Sequence, residues 1–222
     1  DTRDYPSIDG TSSLSAELAV GVISANQCYQ YARTTGGELA RKWLDELIWR
    51  DFYRAVMWHY PRVSKNCGFT PVDKQIHWNQ SEDDFAKFEK AETGIPIIDA
   101  ANQQLLQTGW MHNRLRMVVA SYLTKNLWID WRQGERFFAK HLFDYDFASN
   151  NGGWQWAAGC GTDAAPYFRI FNPTSQLEKF DKEKKYVKKW VPEFGTDEYP
   201  EPIVEHKMAR ERCLARYKEA LQ

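Results

Sequence analysis

The chain has 222 residues, of which 43% are hydrophobic and 27% are charged, as in an ordinary globular protein. Its formal net charge of −1 gives no support for nucleic-acid binding through bulk charge, so such a partner would need a local basic patch. Four dispersed cysteines without a Cys-x-x-Cys pair indicate reduced thiols in a cytoplasmic protein, and no metal site is expected. No apolar run is long enough to span a bilayer.

Helical periodicity predicts one mostly α domain over residues 1–222, without internal repeats. Ser15 is placed to cap a helix from Ala16, and Ser24 and Gln27 have capping-box spacing for the next helix. Further helices are predicted over 39–60, 83–92, 97–108, 114–127, 134–143, 182–190 and 204–220. Residues 61–82 and 144–153 are predicted to be irregular.

The longest predicted helix begins near Leu39 and stops before Pro61, and its two faces differ in kind. One face is a predicted core stripe made of Ala40, Trp43, Leu44, Leu47, Ile48, Phe52, Ala55 and Val56. The opposite face carries Glu46, Trp49, Arg50 and Tyr53. This second set either packs against another part of the domain or forms a concave site whose aromatic rings stack on a planar ligand.

Three polar stretches fit a nucleotide-like ligand, although ordinary helix capping also explains them. The hydroxyl groups and free amides of Gly10–Ser15, just before a predicted helix, suit a phosphate group. His112–Arg114 opens another helix, and Arg116 lies in its first turn. Asp144 and Asp146 have the chemistry to bind a ribose, a metal or an arginine, and their spacing does not choose between these.

Tryptophan is over-represented, with 10 residues, and two of them follow a glycine pair in the stretch NNGGWQW (150–156). Glycine lets a backbone approach another group closely. The indoles beside this glycine pair either fill the core or face a flat aromatic ligand. The residues alone therefore predict a helical domain with an aromatic, partly charged pocket. They do not name a reaction.

Six strings along the chain are specific when they are taken together. They are WLDELIWRDFYR (43–54), TGIPIIDAANQQLLQTGWMHNRLRM (93–117), DWRQGERFF (130–138), NNGGWQWAAGCGTDAAPYFRIFNP (150–173), FDKEKKYVKKWVPE (180–193) and YPEPIVEHK (199–207). In this order they resemble the catalytic, FAD-binding domain of class I cyclobutane pyrimidine dimer DNA photolyases, within the photolyase/cryptochrome family. The resemblance covers essentially the whole chain.

The resemblance implies an all-helical domain that holds FAD and repairs cyclobutane pyrimidine dimers in damaged duplex DNA. Light excites the reduced flavin, which passes an electron to a dimer that has been flipped out of the duplex. The ring then splits and the electron returns. The resemblance also implies a monomer that acts in the cytoplasm. An N-terminal α/β domain with an antenna pigment is expected to be absent from this chain.

The family match also assigns the cofactor contacts. They are Thr11, Ser12, Ser13, Leu14, Ser15, Asn113, Arg116, Asp144, Asp146 and Asn150. The first five match the family's phosphate loop, in which relatives usually carry arginine where Ser13 stands. Arg116 is expected to pair with Asp144 beside the flavin ring. Asn150 is expected to face flavin N5 and is, with Glu46, a predicted catalytic residue.

The contacts with the lesion and the DNA are assigned in the same way. They are Arg3, Glu46, Trp49, Arg50, Tyr53, Asn113, Arg114, Met117, Trp156 and Arg169. Glu46 matches the acid that hydrogen-bonds the dimer, and Trp49 and Trp156 match the two indoles that clamp it. The arginines are expected mostly against phosphates, which position the protein without reading sequence.

Trp154, Trp131 and Trp78 match a tryptophan chain that carries electrons to the flavin, with Trp154 nearest to the ring and Trp78 at the surface. The alternative is that all three fill the core. Two alternative functions are a cryptochrome-like blue-light receptor without repair activity and a DNA-binding module without catalysis. Asn113, Asn150 and Trp156 favour dimer repair, because relatives with other activities usually differ at these positions.

Overall fold

The computed structural model describes residues 2–36, 40–164 and 166–222, and these residues form helices without any strand. Eleven α-helices are present in these ranges. They are α1 (Ser15–Val20), α2 (Ala25–Thr35), α3 (Arg41–His59), α4 (Glu82–Glu89), α5 (Pro96–Thr108), α6 (Asn113–Ser121), α7 (Trp131–His141), α8 (Phe147–Ala157), α9 (Pro173–Phe180), α10 (Lys185–Trp190) and α11 (His206–Ala220). Two 3₁₀ turns (Pro61–Lys65 and Pro71–Lys74) and one π-helical turn (Tyr122–Asn126) complete the set. Leu39, the predicted start of the longest helix, lies outside the described residues.

Local capping signals were read correctly at several helix ends. Ser24 and Gln27 form the predicted capping box at α2. Gly109 ends α5 in the left-handed conformation, with φ of +71°, which glycine adopts without strain. Ser15 does not cap α1 as predicted, because Leu14 occupies the N-cap position and Ser15 is the first helical residue.

The prediction of an irregular segment over 144–153 was wrong, because α8 begins at Phe147 and includes the glycine pair. The side chain of Asp146 caps this helix by accepting a hydrogen bond from the Ser149 amide at 3.0 Å. A helix over Pro173–Phe180 was also missed. Asn172 caps it and proline stands at its first position, a standard start signal.

The hydrophobic core is centred on α5, α6, the π-helical turn, α7 and α8. Every residue from Val118 to Ile129 is buried, so the chain passes through the centre of the domain there. Helix α10 packs on α5, and α11 packs on the π-helical turn. A smaller cluster forms beside α11 and contains Ile76, Trp128, Cys213 and Tyr217.

Helix α3 lies at the rim of this core, and the predicted core stripe on it is largely wrong. Leu47 is its one buried residue, while Ile48 is 65% exposed and Ala55 is also exposed. Among the described elements α3 packs mainly against α8, the 3₁₀ turn Pro61–Lys65 and α2, so its remaining surface faces solvent. No helix in the described ranges is long and apolar enough to cross a membrane.

The two glycines of α8 have different surroundings. A Cβ atom on Gly152 would overlap the ring of Tyr53, whereas a Cβ atom on Gly153 would meet no atom within 4 Å. Gly152 is therefore the point at which α3 and α8 approach each other. Gly153 faces open space.

We expect Gly152→Ala to lower the free energy of unfolding by about 1–3 kcal/mol, because the added methyl group forces Tyr53 out of its place. The matched control Gly153→Ala adds the same methyl group without an overlap. It should leave stability unchanged or raise it by about 0.5–1 kcal/mol, since alanine favours helix over glycine. Urea unfolding measures both changes, and equal losses in the two variants would contradict this assignment.

Candidate functional site

The exposed part of α3 presents an acid and an indole one turn apart. The Glu46 carboxylate is 41% exposed and pairs with Arg3 at 2.7 Å. Trp49 is 46% exposed, and its ring contacts Phe52 edge to face at a centroid distance of 5.5 Å. Tyr53 also lies near Trp49, at 6.3 Å, and packs on α8. Of the four residues predicted to share this face, Glu46 and Trp49 are therefore open to solvent.

Arg50, from the same set, is turned inward. Its side chain is 16% exposed and donates a hydrogen bond to the Leu18 carbonyl at 2.8 Å. It also lies 4.0 Å from the carboxylate of Asp146. These contacts tie α3 to α1 and to the start of α8, so Arg50 lies behind the exposed face of α3 instead of on it.

The Asp146 carboxylate, at the start of α8, accepts hydrogen bonds from several donors. Arg54 pairs with it at 2.6 Å, and the amide and hydroxyl groups of Ser149 donate to it at 3.0 and 2.9 Å. Burial opposes its ionisation, but the hydrogen bonds from Ser149 and Arg54 keep its pKa below the usual value. Arg54 was not among the predicted site residues, although it lies one turn beyond Arg50 on α3.

Asp144 pairs with Arg116 at 2.7 Å, as predicted, and its side chain is only 1% exposed. Arg116 also donates to the Met111 carbonyl at 2.8 Å. The second carboxylate oxygen of Asp144, Oδ1, is buried and has no hydrogen-bond partner in the described part of the chain. A buried carboxylate oxygen without a donor is costly, so it marks a position where a ligand N–H or O–H group would be stabilised.

Asn150 is held by Glu135, which the sequence analysis did not single out. The Asn150 amide group donates to the Glu135 carbonyl at 3.0 Å and to its carboxylate at 3.1 Å. Tyr145 lies 3.4 Å from the same carboxylate. Burial raises the pKa of Glu135, and burial together with the Glu135 charge raises the pKa of Tyr145 to about 12.

The segment that opens α6 contacts the N-terminal residues. His112 caps α6 by accepting from the Arg114 amide at 3.2 Å, and burial lowers the pKa of His112. Arg114 pairs with Asp4 at 2.8 Å and lies over the Phe180 ring at 4.7 Å. Asn113 is exposed and Met117 is half-buried.

The predicted phosphate loop lies directly before α1. The hydroxyl groups of Thr11 and Ser13 are 3.4 Å apart, and Ser13 has a left-handed backbone with φ of +52°. Ser12 is exposed, and Leu14 provides no side-chain cap for α1. The first amides of α1 therefore lack a side-chain acceptor from the N-cap position.

The two indoles of NNGGWQW lie in different environments. Trp154 is 2% exposed and packs edge to face on Phe138 at 5.0 Å, whereas Trp156 is only partly buried. Gln155 lies between the two tryptophans in the sequence and is buried. Its side chain accepts a hydrogen bond from the Phe69 amide at 2.8 Å.

The other tryptophans of the predicted relay share the core with Trp154. Trp131 is fully buried, and its indole N–H donates to Asp73 at 3.0 Å. Trp78 is half-buried and packs on the same core, with its ring 5.1 Å from that of Trp128. Trp78 was predicted to lie at the surface and is half-buried, which makes it the most exposed of the three.

Two cavities do not coincide with the predicted cofactor residues. A void of about 10 Å³ lies between α3 and α8 beside Tyr53 and Gly152. A depression of about 520 Å³ lies beside Trp128 and Arg216, and no predicted site residue lines it. Of the predicted site residues only Tyr53 lines either of these two cavities. Within the described residues no cluster of three or more His, Cys, Asp or Glu side chains forms a metal site.

Comparison with known proteins identifies relatives of this site and fold. The profile of the FAD binding domain of DNA photolyase matches residues 43–197. The Escherichia coli protein named deoxyribodipyrimidine photo-lyase is 47% identical over 98% of this chain and 51% of its own length. The chain thus spans about half the length of this curated relative.

Solved structures give the same picture of the fold. A class III photolyase from Agrobacterium tumefaciens superposes with a TM-score of 0.92 and 38% identity, over 99% of this chain and 52% of the other. A Synechocystis cryptochrome superposes with a TM-score of 0.82 and 32% identity, over 93% of this chain and 49% of the other. With the profile match over residues 43–197, these similarities show that the chain belongs to the DNA photolyase family and carries its FAD-binding domain.

Proposed function

We propose that this chain is the catalytic part of a class I photolyase, which uses light to repair cyclobutane pyrimidine dimers in DNA. The observation that carries the proposal is the exposed face of α3, where the Glu46 carboxylate stands one turn from the Trp49 indole. An exposed indole offers a stacking surface for a flipped base, and a neighbouring carboxyl group offers a hydrogen bond to it.

The residues behind this face fit FAD. The unpartnered Asp144 Oδ1 is a buried acceptor for a ring N–H group, and Arg116 holds that carboxylate in place. Thr11 and Ser13 supply hydroxyl groups for a phosphate. When bound, the reduced flavin supplies the chemistry of an electron donor excited by light.

Glu135 fixes the orientation of the Asn150 side-chain amide. The backbone carbonyl and one carboxylate oxygen of Glu135 both accept from the NH₂ group of Asn150, so the orientation of this amide is defined by its partners. The amide oxygen of Asn150 therefore points away from Glu135. In our proposal that oxygen is the acceptor for the flavin N5–H group, which favours the reduced states.

The basic side of the site consists of arginines that exchange partners when DNA binds. Arg3 and Glu46 are each about two-fifths exposed, and an ion pair of this kind contributes only about 0–1 kcal/mol. A DNA phosphate can therefore replace Glu46 as the partner of Arg3 and leave Glu46 free for the lesion. Arg114, paired with Asp4, and the exposed Arg169 are further phosphate contacts in this proposal.

Trp154, Trp131 and Trp78 supply electrons to the cofactor in this proposal. Their gradient of burial, from the fully buried pair to the half-buried Trp78, supports a path from the core to the surface.

The second candidate function is a light receptor without repair activity, since a Synechocystis cryptochrome also superposes on this chain. The exposed Glu46 favours repair, because a receptor does not need an acid that faces the DNA.

We expect Glu46→Gln to lower the yield of dimer repair per absorbed photon by at least about tenfold, since a hydrogen bond to a charged group is worth about 1.5–3 kcal/mol. FAD content should not change, since Glu46 contacts Arg3 and not the Asp144 region. Asp45→Asn, on the neighbouring exposed position, is the matched control. Equal repair yields in Glu46→Gln and Asp45→Asn would contradict the role of Glu46.

Trp156→Ala should weaken binding of DNA that contains a dimer by about 1–3 kcal/mol, the range for loss of one stacked base. Binding of undamaged DNA should change less, because phosphate contacts dominate it. Trp58→Ala, at an 83% exposed indole near the end of α3, controls for loss of an aromatic ring. Titration at fixed salt measures both affinities, and a parallel loss for the two DNAs would refute the clamp.

Trp154→Phe should abolish photoreduction of the oxidised cofactor, because phenylalanine is much harder to oxidise than tryptophan. Repair should persist when the cofactor is reduced chemically beforehand. Trp190→Phe makes the same change at a partly buried tryptophan outside the relay and should keep photoreduction. Flavin absorbance under blue light measures this, and full photoreduction in Trp154→Phe would remove Trp154 from the relay.

A further inference from the structure

The segment Pro166–Phe171 runs between α8 and α9 and carries Arg169 on its outer side. Pro166, Phe168 and Arg169 are exposed, with Phe168 at 62%. The backbone turns tightly, since the Arg169 amide donates to the Pro166 carbonyl at 2.8 Å. Short turns of this kind expose side chains outward while some carbonyl groups point inward.

Two of these inward carbonyl groups accept hydrogen bonds from one buried lysine. Lys125, in the π-helical turn, is 1% exposed. Its Nζ atom lies 2.9 Å from the carbonyl oxygen of Arg169 and 3.5 Å from that of Pro166. The ammonium group therefore reaches both ends of the turn that presents Arg169.

Burial of the Lys125 ammonium group is energetically unfavourable, because the charge loses its contact with water. Burial lowers the pKa of Lys125 to about 8, and the charged or titratable groups that act on it are Cys213 and Arg169. Neither is a carboxylate, so carbonyl oxygens are its hydrogen-bond acceptors. A methionine or leucine would fill the same space without this penalty, so the ammonium group has a role other than packing.

The two flanks of the segment have their own anchors. The Phe171 amide lies 3.4 Å from the Ser121 hydroxyl group, and the Tyr167 ring lies 5.7 Å from that of Tyr217. The Arg169 side chain is exposed and makes no hydrogen bond or ion pair with the described residues. Its direction is therefore set by its backbone, and Lys125 holds the carbonyl group of that residue.

We propose that Lys125 is a positioning residue for DNA binding, which fixes the Pro166–Arg169 turn so that Arg169 faces the phosphate backbone. This inference rests on the proposed function, since it needs the outer side of the turn to contact DNA. Lys125 does not touch the DNA in this arrangement, because it is buried beneath the turn. It acts through Arg169 alone.

The test is a double-mutant cycle between Lys125→Met and Arg169→Ala in the 222-residue chain loaded with FAD. Lys125→Met should weaken binding of dimer-containing DNA by up to about tenfold, the loss expected when Arg169 no longer makes its charged hydrogen bond to a phosphate. In the Arg169→Ala background the same change should cost less than about twofold. Repair yield per bound dimer should not change, and Lys182→Met, at an exposed lysine, controls for lost charge.

Hydrogen exchange of the DNA-free protein separates this inference from the proposed function. Lys125→Met should speed amide exchange in 166–171 while α5 stays protected, and Lys125→Arg, which keeps the donors, should restore much of the protection. Equal losses of affinity in the two Arg169 backgrounds, or unchanged exchange in 166–171, would overturn the role of Lys125. Failure of the unmodified chain to bind dimer-containing DNA would count against the proposed function, and the exchange result would still stand.

Discussion

The arrangement of the site depends on two carboxylates, one buried and one half-buried, that are each paired with an arginine. Asp144 and Asp146 both lie just before α8, Asp146 as its N-cap, and an unpaired charge at the buried Asp144 would cost several kcal/mol. Arg116 reaches Asp144 from α6, and Arg54 reaches Asp146 from α3. Three helices are thereby fixed at one junction, and the exposed face of α3 is held beside α8.

Side chains on different faces of α8 make different contacts. Gly152 admits the Tyr53 ring and so sets the distance to α3, while Trp154 faces the core. Gln155 binds the Phe69 amide, and Trp156 reaches the rim. Neighbouring helical residues point about 100° apart, so two indoles separated by one residue face different environments. Trp154 and Trp156 can therefore be close in sequence although one lies in the core and the other is partly exposed.

Much of the helical fold followed from the sequence, because helix ends carry local chemistry. The capping box at Ser24 and the end of the helix predicted over 97–108 were readable for that reason. Helix α8 was missed because two asparagines and two glycines favour a loop, and its stability comes from the Asp146 cap and from Tyr53. Ile48 was placed in the core wrongly, because periodicity shows that a face is apolar but not what covers it. Partners such as Glu135 for Asn150 are distant in sequence and became visible only in the fold.

The central claim is that this chain places FAD and a flipped pyrimidine dimer in one site. It is tested most directly by loading the chain with FAD, reducing the cofactor chemically, and exposing it to blue light with an oligonucleotide that contains one thymine dimer. Restored thymines are expected in the light and none in the dark. A folded chain that binds FAD and the oligonucleotide but leaves the dimer intact under blue light would contradict it.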